Sequence, residues 1–200
     1  FKRPGVRETD RGRIETPPAG RIAGAPDALR IPDVIVLSNH KNVQLAAEQA
    51  VSLARCTIHL VPTTSLPEGV AAAMAFDPDE SAAANVAAMK EAAEGVTTVE
   101  VTIAAASRTA GGIDVREGQA IALLDGHLVA AEETPRQALL AGLRRANLTR
   151  GSLVTIYGGM DTAPGELEAA RAGVEAAFDG VEVEALSGGQ PLYPFIASVE

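Results

Sequence analysis

A short apolar run, a polar tetrad and an amphipathic segment together constrain this chain most. Residues 34–37 read Val-Ile-Val-Leu, and a continuous apolar run of this kind is typical of a strand buried on both faces. Asn39-His40-Lys41-Asn42 interrupts the run. Apolar side chains then recur at helical spacing, at Val43, Ala46, Ala47, Ala50, Val51 and Ala54. This order places the polar loop at the carboxyl end of a strand, where open α/β sheets have their functional surface.

The two parts of the chain differ in charge and texture. Residues 1–30 contain seven Lys/Arg against four Asp/Glu, whereas residues 31–200 contain ten against twenty-two, a net charge of −12. Because residues 1–30 also contain four prolines and show no sustained hydrophobic period, we predict a linker or disordered arm there. Residues 31–200 are predicted to form the folded domain. Their acidity argues against nucleic acid or an anionic membrane surface as a partner.

Cysteine content and hydropathy indicate the compartment. The single cysteine excludes an internal disulfide and favours a reducing cytoplasm. No apolar run approaches the roughly 18 residues of a membrane span, and no signal-peptide pattern opens the chain. The chain begins with Phe1 rather than Met, so we expect a fragment or a processed product whose partner domain lies elsewhere.

The remaining elements predict an α/β fold, with a mixed sheet flanked by helices and an antiparallel hairpin section. Residues 98–103 alternate between apolar and polar side chains, and Asp125-Gly126 separates two β-leaning runs, which is a strong hairpin signal. Thr134-Pro135-Arg136-Gln137 is a capping box that opens a helix. A strand–helix–strand order returns over residues 153–186.

Catalytic motifs are absent from the sequence. There is no Walker-type loop, no Gly-x-Gly-x-x-Gly after a strand and no Gly-x-Ser-x-Gly turn. Cys56 and His59 have an odd separation on a predicted strand, which points them to opposite faces and argues against a shared metal. Asp77, Asp79 and Glu80 are interpreted as carboxylates at a helix N-terminus rather than as Mg²⁺ ligands. We therefore predict no catalytic residue and no metal site.

The polar tetrad is the first candidate binding site. It consists of Asn39, His40, Lys41 and Asn42. His40 is the only histidine predicted to lie at the carboxyl end of a strand, so it is the residue to test for acid–base chemistry. No neighbouring residue completes a catalytic set, which favours a docking or structural role for this loop.

The carboxyl-terminal segment is the second candidate site. Residues 188–195 read Gly-Gly-Gln-Pro-Leu-Tyr-Pro-Phe and contain two of the six aromatic residues of the chain. Pro194 suggests an edge strand or a bulge with exposed apolar surface. The candidate partner surface comprises Gln190, Leu192, Tyr193 and Phe195, and the alternative is that these residues belong to the core. Gly158-Gly159, before a helix that Pro164 opens, is interpreted as a tight turn in preference to an anion cradle.

Several short motifs, in order and with similar spacing over about residues 32–200, together resemble one family. They are Asn39-His40-Lys41-Asn42, the following Ala-Ala-Glu-Gln-Ala, Pro62 with Leu66-Pro67-Glu68-Gly69, Ala75-Phe76-Asp77-Pro78, Leu153-Val154-Thr155-Ile156-Tyr157-Gly158, and the run from Gly188 to Glu200. The family is the ATP-binding subunit of bacterial fatty acid kinase, a group of dihydroxyacetone-kinase-like proteins. The chain resembles its carboxyl-terminal domain.

The resemblance implies a DegV-like fold and a non-catalytic role in docking a DegV-type fatty acid carrier. The whole enzyme of this family phosphorylates the carboxyl group of a carrier-bound fatty acid, giving an acyl phosphate for phospholipid synthesis. ATP and Mg²⁺ bind a separate amino-terminal kinase domain in this family, so no cofactor is expected in this chain. A homodimer formed through the parent protein is a further expectation.

Two other functions remain open at this stage. One is a free-standing carrier of the DegV type, although such carriers have a turn rich in Asp, Ser and Thr where this chain has Ser38-Asn39-His40-Lys41-Asn42. The other is an independent small-molecule enzyme that uses His40. A deep apolar tunnel would favour a carrier, whereas a filled core with an exposed patch near residues 192–195 would favour docking.

Overall fold

The computed structural model describes residues 17–29 and 32–200, and the chain divides into two compact units, Phe1–Gly95 and Val96–Glu200. Within the described ranges, no helix has the length and hydrophobicity that a membrane crossing requires.

The first unit is built around a parallel pair of strands. Its elements are α1 (Ala19–Leu29), β1 (Asp33–Leu37), α2 (Lys41–Leu53), β2 (Thr57–Val61), α3 (Leu66–Met74) and α4 (Ala82–Glu94). β1 and β2 pair in parallel, with Asp33 opposite Thr57 and Leu37 opposite Val61. Both strands therefore end at the same edge of the sheet. The prediction that residues 34–37 are buried on both faces was wrong, because these side chains are only half-buried in this two-stranded sheet.

Helix α1 corrects the prediction of a disordered arm over residues 19–29. Ala23 on α1 is buried and packs in one cluster with Ala50 of α2 and Ile58 of β2. Tertiary packing of this kind stabilises a helix that contains Gly20, Gly24 and Pro26 and has a poor intrinsic propensity. The rest of the predicted arm, residues 1–16 and 30, lies outside the described residues.

Local capping sets the starts of the next helices. The Ser65 hydroxyl accepts a hydrogen bond from the Glu68 backbone N–H, as predicted, and α3 follows. Helix α4 begins at Ala82 behind the cap residue Ser81, so residues 77–80 form the turn before it and not its first turn. Val61, Ala72 and Met89 form the core between these elements.

The second unit is a mixed six-stranded sheet with a small hairpin beside it, which confirms the predicted fold class. Its elements are β3 (Thr97–Ile103), β4 (Arg108–Ala110), β5 (Ile113–Val115), β6 (Ala120–Leu124), β7 (His127–Glu132), α5 (Pro135–Leu143), β8 (Leu153–Gly158), α6 (Pro164–Ala177), β9 (Glu182–Ser187) and β10 (Phe195–Val199). The strand order is β7-β6-β3-β10-β8-β9, and only β8 and β9 are parallel. β4 and β5 form the separate hairpin.

The predicted turn chemistry of this unit is present. Asp125 and Gly126 have φ angles of 48° and 79° between β6 and β7, and positive φ at both central residues is what a two-residue hairpin turn of this hand requires. Thr134 accepts a hydrogen bond from the Gln137 backbone N–H at the start of α5.

Strand β10 lies in the middle of the sheet, so the prediction of an edge strand or bulge was wrong. It pairs with β3 on one side and β8 on the other, and all five of its residues are buried. Alternate side chains, those of Phe195, Ala197 and Val199, join the main core cluster with Leu139 of α5 and Val174 of α6. The core therefore fills the space between one face of the sheet and these two helices.

Candidate functional site

The loop after β1 lies at the carboxyl end of the strand, as predicted, and it is bonded to the loop after β2. The buried Ser38 hydroxyl donates to the Thr63 carbonyl oxygen at 2.6 Å. The Asn39 backbone N–H donates to Thr63 Oγ1 at 2.9 Å, and Thr63 Oγ1 donates in turn to Asn39 Oδ1 at 2.7 Å. Because Thr63 is fully buried, these bonds fix the two loops to each other.

Asn39 adopts a strained backbone that the packing of α3 supports. Its φ angle is 53°, a left-handed conformation that asparagine tolerates better than most residues. A Cβ on Gly69 of α3 would lie 2.0 Å from Asn39 Oδ1. Glycine at position 69 is therefore required for the Asn39 side chain to reach Thr63.

The loop after β2 supplies residues that the sequence analysis missed. The Glu68 carboxylate accepts from the Thr64 backbone N–H at 2.6 Å and from the Thr64 hydroxyl at 2.7 Å. Thr63 and Thr64 had a detectable signal, since both follow a predicted strand, and the ends of parallel strands meet at one edge of a sheet.

His40, Lys41 and Asn42 form the start of α2 and not an open loop. His40 is the N-cap, and its Nδ1 accepts a hydrogen bond from the Asn42 backbone N–H at 3.1 Å. Lys41 and Asn42 are the first helical residues, and all three side chains are exposed. The geometry gives His40 a capping role, and in the part of the chain that the structure describes no side chain hydrogen-bonds to its ring.

The segment before β10 is fixed by backbone contacts to the turn after β8. The buried Gly159 donates its N–H to the Pro194 carbonyl oxygen at 2.9 Å, and a Cβ at this position would lie 2.2 Å from the Tyr193 carbonyl oxygen. Gln190 Nε2 donates to the carbonyl oxygens of Tyr157 at 2.9 Å and Tyr193 at 3.2 Å. Gln190 Oε1 is buried and has no hydrogen-bond partner within the described residues. Gln190 thus links the segment to β8.

The four candidates of the partner surface differ in exposure. Leu192 is 59% exposed with a φ angle of 68°, and its carbonyl oxygen accepts from the Thr102 hydroxyl at 2.8 Å. Gln190 and Tyr193 are half-buried. Phe195 is 2% exposed and belongs to the core, so the prediction that it is part of the surface was wrong. It was misplaced because its strand is central.

Exposed apolar side chains gather at one end of the six-stranded sheet. Ile103 ends β3, Met160 follows β8, Leu186 lies near the end of β9, and Leu192 precedes β10. The strand register places these positions at the same end, since Phe195 is opposite both Val101 and Gly158, and Gly158 is opposite Ser187. We call these four residues the apolar end.

Both tyrosines of the chain have perturbed titration. Burial raises the pKa of Tyr157, and the carboxylates of Glu200 and Glu184 raise it further. The Ser198 hydroxyl offsets part of this rise in pKa, although it makes no hydrogen bond of normal geometry within the described residues. Burial also raises the pKa of Tyr193, followed by the charge of Glu100. Both phenols therefore remain neutral at physiological pH.

The described residues contain no cluster of His, Cys, Asp and Glu that could hold a metal ion. His59 Nε2 lies 3.0 Å from Asp33 Oδ1 across the β1–β2 pair. Cys56 packs, half-buried, against the cluster around Ala50.

The fold defines a class of protein. A DegV-family protein of Thermus thermophilus, described by its fatty acid binding, aligns over 91% of this chain and 77% of its own length with a TM-score of 0.55 and 15% identity. The dihydroxyacetone kinase of C. freundii aligns over 92% of this chain and 41% of its own, with a TM-score of 0.61 and 13% identity. The chain thus has the α/β fold that DegV proteins and dihydroxyacetone kinases share.

The family follows from the sequence match. The family model of the FakA-like C-terminal domain of fatty acid kinase matches residues 6–200, and the chain belongs to this family. Protein YloV of Bacillus subtilis is 30% identical over 189 residues, covering 94% of this chain and 34% of YloV. An uncharacterized protein of Staphylococcus haemolyticus is 30% identical over 167 residues, covering 83% of this chain and 30% of its own length. The chain spans about a third of these relatives.

Proposed function

We propose that this chain is a non-catalytic domain that docks a DegV-type fatty acid carrier onto a fatty acid kinase. Its membership of the FakA-like C-terminal family is the observation on which the proposal rests. The remaining two thirds of the parent protein would bind ATP and Mg²⁺ and phosphorylate the carrier-bound fatty acid to an acyl phosphate for phospholipid synthesis. The single cysteine fits a cytoplasmic setting.

The hydrogen bonds of the first unit support docking over direct fatty acid binding. A carrier must offer free donors to the carboxylate of a fatty acid. The Ser38 and Thr63 hydroxyls already donate to the Thr63 carbonyl oxygen and to Asn39 Oδ1. Recruiting them for a ligand would leave buried acceptors unsatisfied, at a cost of about 1–3 kcal/mol for each group.

The apolar end supplies a surface for the carrier. Met160 and Leu192 are 66% and 59% exposed, and exposed apolar groups of this size at one place are typical of an interaction site. Asp161 and Glu184 are exposed next to Met160 and Leu186. The surface therefore fits a carrier face that presents apolar side chains surrounded by Lys or Arg.

The alternative function is a free-standing DegV-type carrier, favoured by the structural neighbours. A Thermotoga maritima protein described as revealing a fatty acid binding function aligns with a TM-score of 0.60 over 92% of this chain. This alternative predicts that the chain binds free fatty acid without any protein partner.

Calorimetric titration of the chain with a DegV-type carrier from the same organism tests the proposal. We expect saturable binding of the fatty-acid-loaded carrier and no heat from free fatty acid. The variant Met160→Asp/Leu192→Asn should bind at least about tenfold more weakly, because apolar anchors dominate such interfaces. Asparagine is chosen at position 192 because it tolerates a positive φ.

The matched control is Leu53→Asn, since Leu53 on α2 is also 59% exposed. Its affinity for the carrier should stay within about twofold of the original, as expected for a substitution outside the interface. Loss of binding in the control equal to that in the double variant would contradict the assignment of the surface. Binding of free fatty acid in the absence of the carrier would replace docking by the carrier function.

A further inference from the structure

An open depression of about 340 Å³ lies at the edge of the six-stranded sheet in the second unit. Strand β7 forms that edge, and among the described strands of this sheet it pairs with β6 alone. The floor is apolar and consists of Ile113 of β5, Val129 and Ala130 of β7, and Ala141 of α5. Its volume is at the low end of the range of about 300–1,000 Å³ typical of small-molecule sites.

Two arginines line the depression without ionic partners. Arg144 and Arg145 follow the last turn of α5, and in the described part of the chain neither makes an ion pair or a side-chain hydrogen bond. Arg116, Arg150 and Arg171, by contrast, each pair with a carboxylate. Two free guanidinium groups at one depression are notable in a chain of net charge −9.

The sequence around α5 keeps this depression basic. Residues 134–149 contain three arginines and no Asp or Glu. Glu132 of β7 is the only carboxylate among the lining residues, and within the described residues it pairs with neither arginine. The lining therefore has a net charge of +1, with its cations on the α5 side and its anion on the β7 side.

This arrangement selects a chemical class of ligand. A guanidinium group presents a planar set of donors that matches the oxygens of a carboxylate or a phosphate. The apolar floor stabilises a short hydrocarbon part of the ligand by burying it. Glu132 repels a second negative group on the β7 side. The fitting ligand is a small molecule with an oxyanion at one end and a short apolar chain at the other.

We propose that this depression binds such an anionic amphiphile, with the oxyanion on Arg144 and Arg145 and the apolar chain on Ile113, Val129 and Ala141. The site is separate from the apolar end, which is formed by other residues of the second unit. The proposal is therefore independent of carrier docking, and either one stands if the other fails.

NMR titration of the ¹⁵N-labelled 200-residue chain with butyl phosphate, butanoate and inorganic phosphate tests the proposal. Butyl phosphate or butanoate should give saturable shifts at the lining residues, and the tighter of the two identifies the head group. Butyl phosphate should bind at least about fivefold more tightly than inorganic phosphate, because the apolar floor buries part of its chain. Equal affinity of inorganic phosphate and butyl phosphate would overturn the proposed ligand class.

Charge variants test the arginines. Arg144→Gln/Arg145→Gln should weaken binding at least about tenfold, because it removes the charge-assisted hydrogen bonds to the oxyanion. The control Arg136→Gln/Arg150→Gln removes the same charge elsewhere, since Arg136 is eight residues from Arg144, about 12 Å along a helix axis. Its affinity should stay within about twofold, as fits distant, screened charges. Equal losses in the two variants would reduce the effect to net charge and reject the site.

Two further variants keep both arginines and change the rest of the site. Ala141→Leu should fill the depression and weaken binding at least about fivefold, whereas Ala176→Leu on the exposed side of α6 should not. Glu132→Gln should tighten binding about twofold or more by removing a like charge. Unchanged affinity in Ala141→Leu, or weaker binding in Glu132→Gln, contradicts the geometry proposed.

Discussion

The two candidate loops of this protein lie in different units and use their polar groups in opposite ways. After β1, the side chains of Ser38 and Asn39 are bonded to Thr63, so a loop that looks available in sequence is closed. Before β10, the backbone of residues 188–194 makes the fixing bonds, and the Leu192 side chain is left exposed. A polar loop at a strand end is therefore no evidence of a ligand site until its hydrogen-bond partners are counted. An apolar segment held by its backbone is the better candidate for a partner surface.

The largest effect on this comparison is expected from Gly159→Ala in the second unit. The added Cβ would lie 2.2 Å from the Tyr193 carbonyl oxygen, and backbone atoms on both sides must move to relieve it. We expect the free energy of unfolding to fall by about 3 kcal/mol, at the upper end of overpacking effects. Urea unfolding followed by tyrosine fluorescence measures it, because both tyrosines lie in this unit and the chain has no tryptophan.

Gly165→Ala is the matched control for this substitution. Gly165 lies in the first turn of α6, and a Cβ there would meet nothing within 4 Å. The change should be neutral or stabilising by up to about 1 kcal/mol, because alanine has the higher helix propensity. If Gly159→Ala is tolerated as well as Gly165→Ala, the backbone of residues 188–194 is not what fixes the apolar end.

A smaller effect is expected from Thr63→Val in the first unit. Valine keeps the shape of the fully buried side chain but removes the hydroxyl that both accepts from the Asn39 N–H and donates to Asn39 Oδ1. We expect a loss of about 2 kcal/mol, because two buried groups lose their partner. Amide hydrogen exchange of β1 and β2 measures the loss. The control Thr57→Val, at an exposed position of β2, should change exchange by less than about 0.5 kcal/mol.

Local patterns in the sequence predicted the elements that depend on local chemistry. The order β1, polar loop, α2, the Asp125-Gly126 turn and the Thr134 cap were all correct, because each depends on a few consecutive residues. The role of Asn39 was not predictable in the same way. It depends on Thr63, which is 24 residues away, and on the absence of a side chain at Gly69.

The place of β10 shows why the partner surface was only partly correct. Pro194 lacks an N–H and argues for an edge, but it lies one residue before the first paired position of β10. Its carbonyl oxygen accepts from the Gly159 N–H and the Thr162 hydroxyl. Proline therefore costs the sheet no hydrogen bond here. Whether a strand is central depends on which other strands reach it, and that is a property of the whole unit.

The smallest effect separates the two units by their response to alkali. Burial raises the pKa of Tyr157 and of Tyr193, and residues 1–95 contain no tyrosine. Above the unfolded pKa of about 10, the folded second unit binds more protons than the unfolded chain, so its free energy of unfolding falls as the pH rises.

Ultraviolet absorbance of tyrosinate in the single-tyrosine variants Tyr157→Phe and Tyr193→Phe assigns each midpoint. We expect both midpoints above that of free tyrosine, because burial disfavours the charged phenolate in each case. The Tyr193 midpoint should also move down in Glu100→Gln, since removing the nearby carboxylate removes part of the cause. A Tyr193 midpoint at the value of free tyrosine would mean that the segment before β10 is open to water. The contrast between a closed polar loop and a backbone-fixed apolar segment would then be lost.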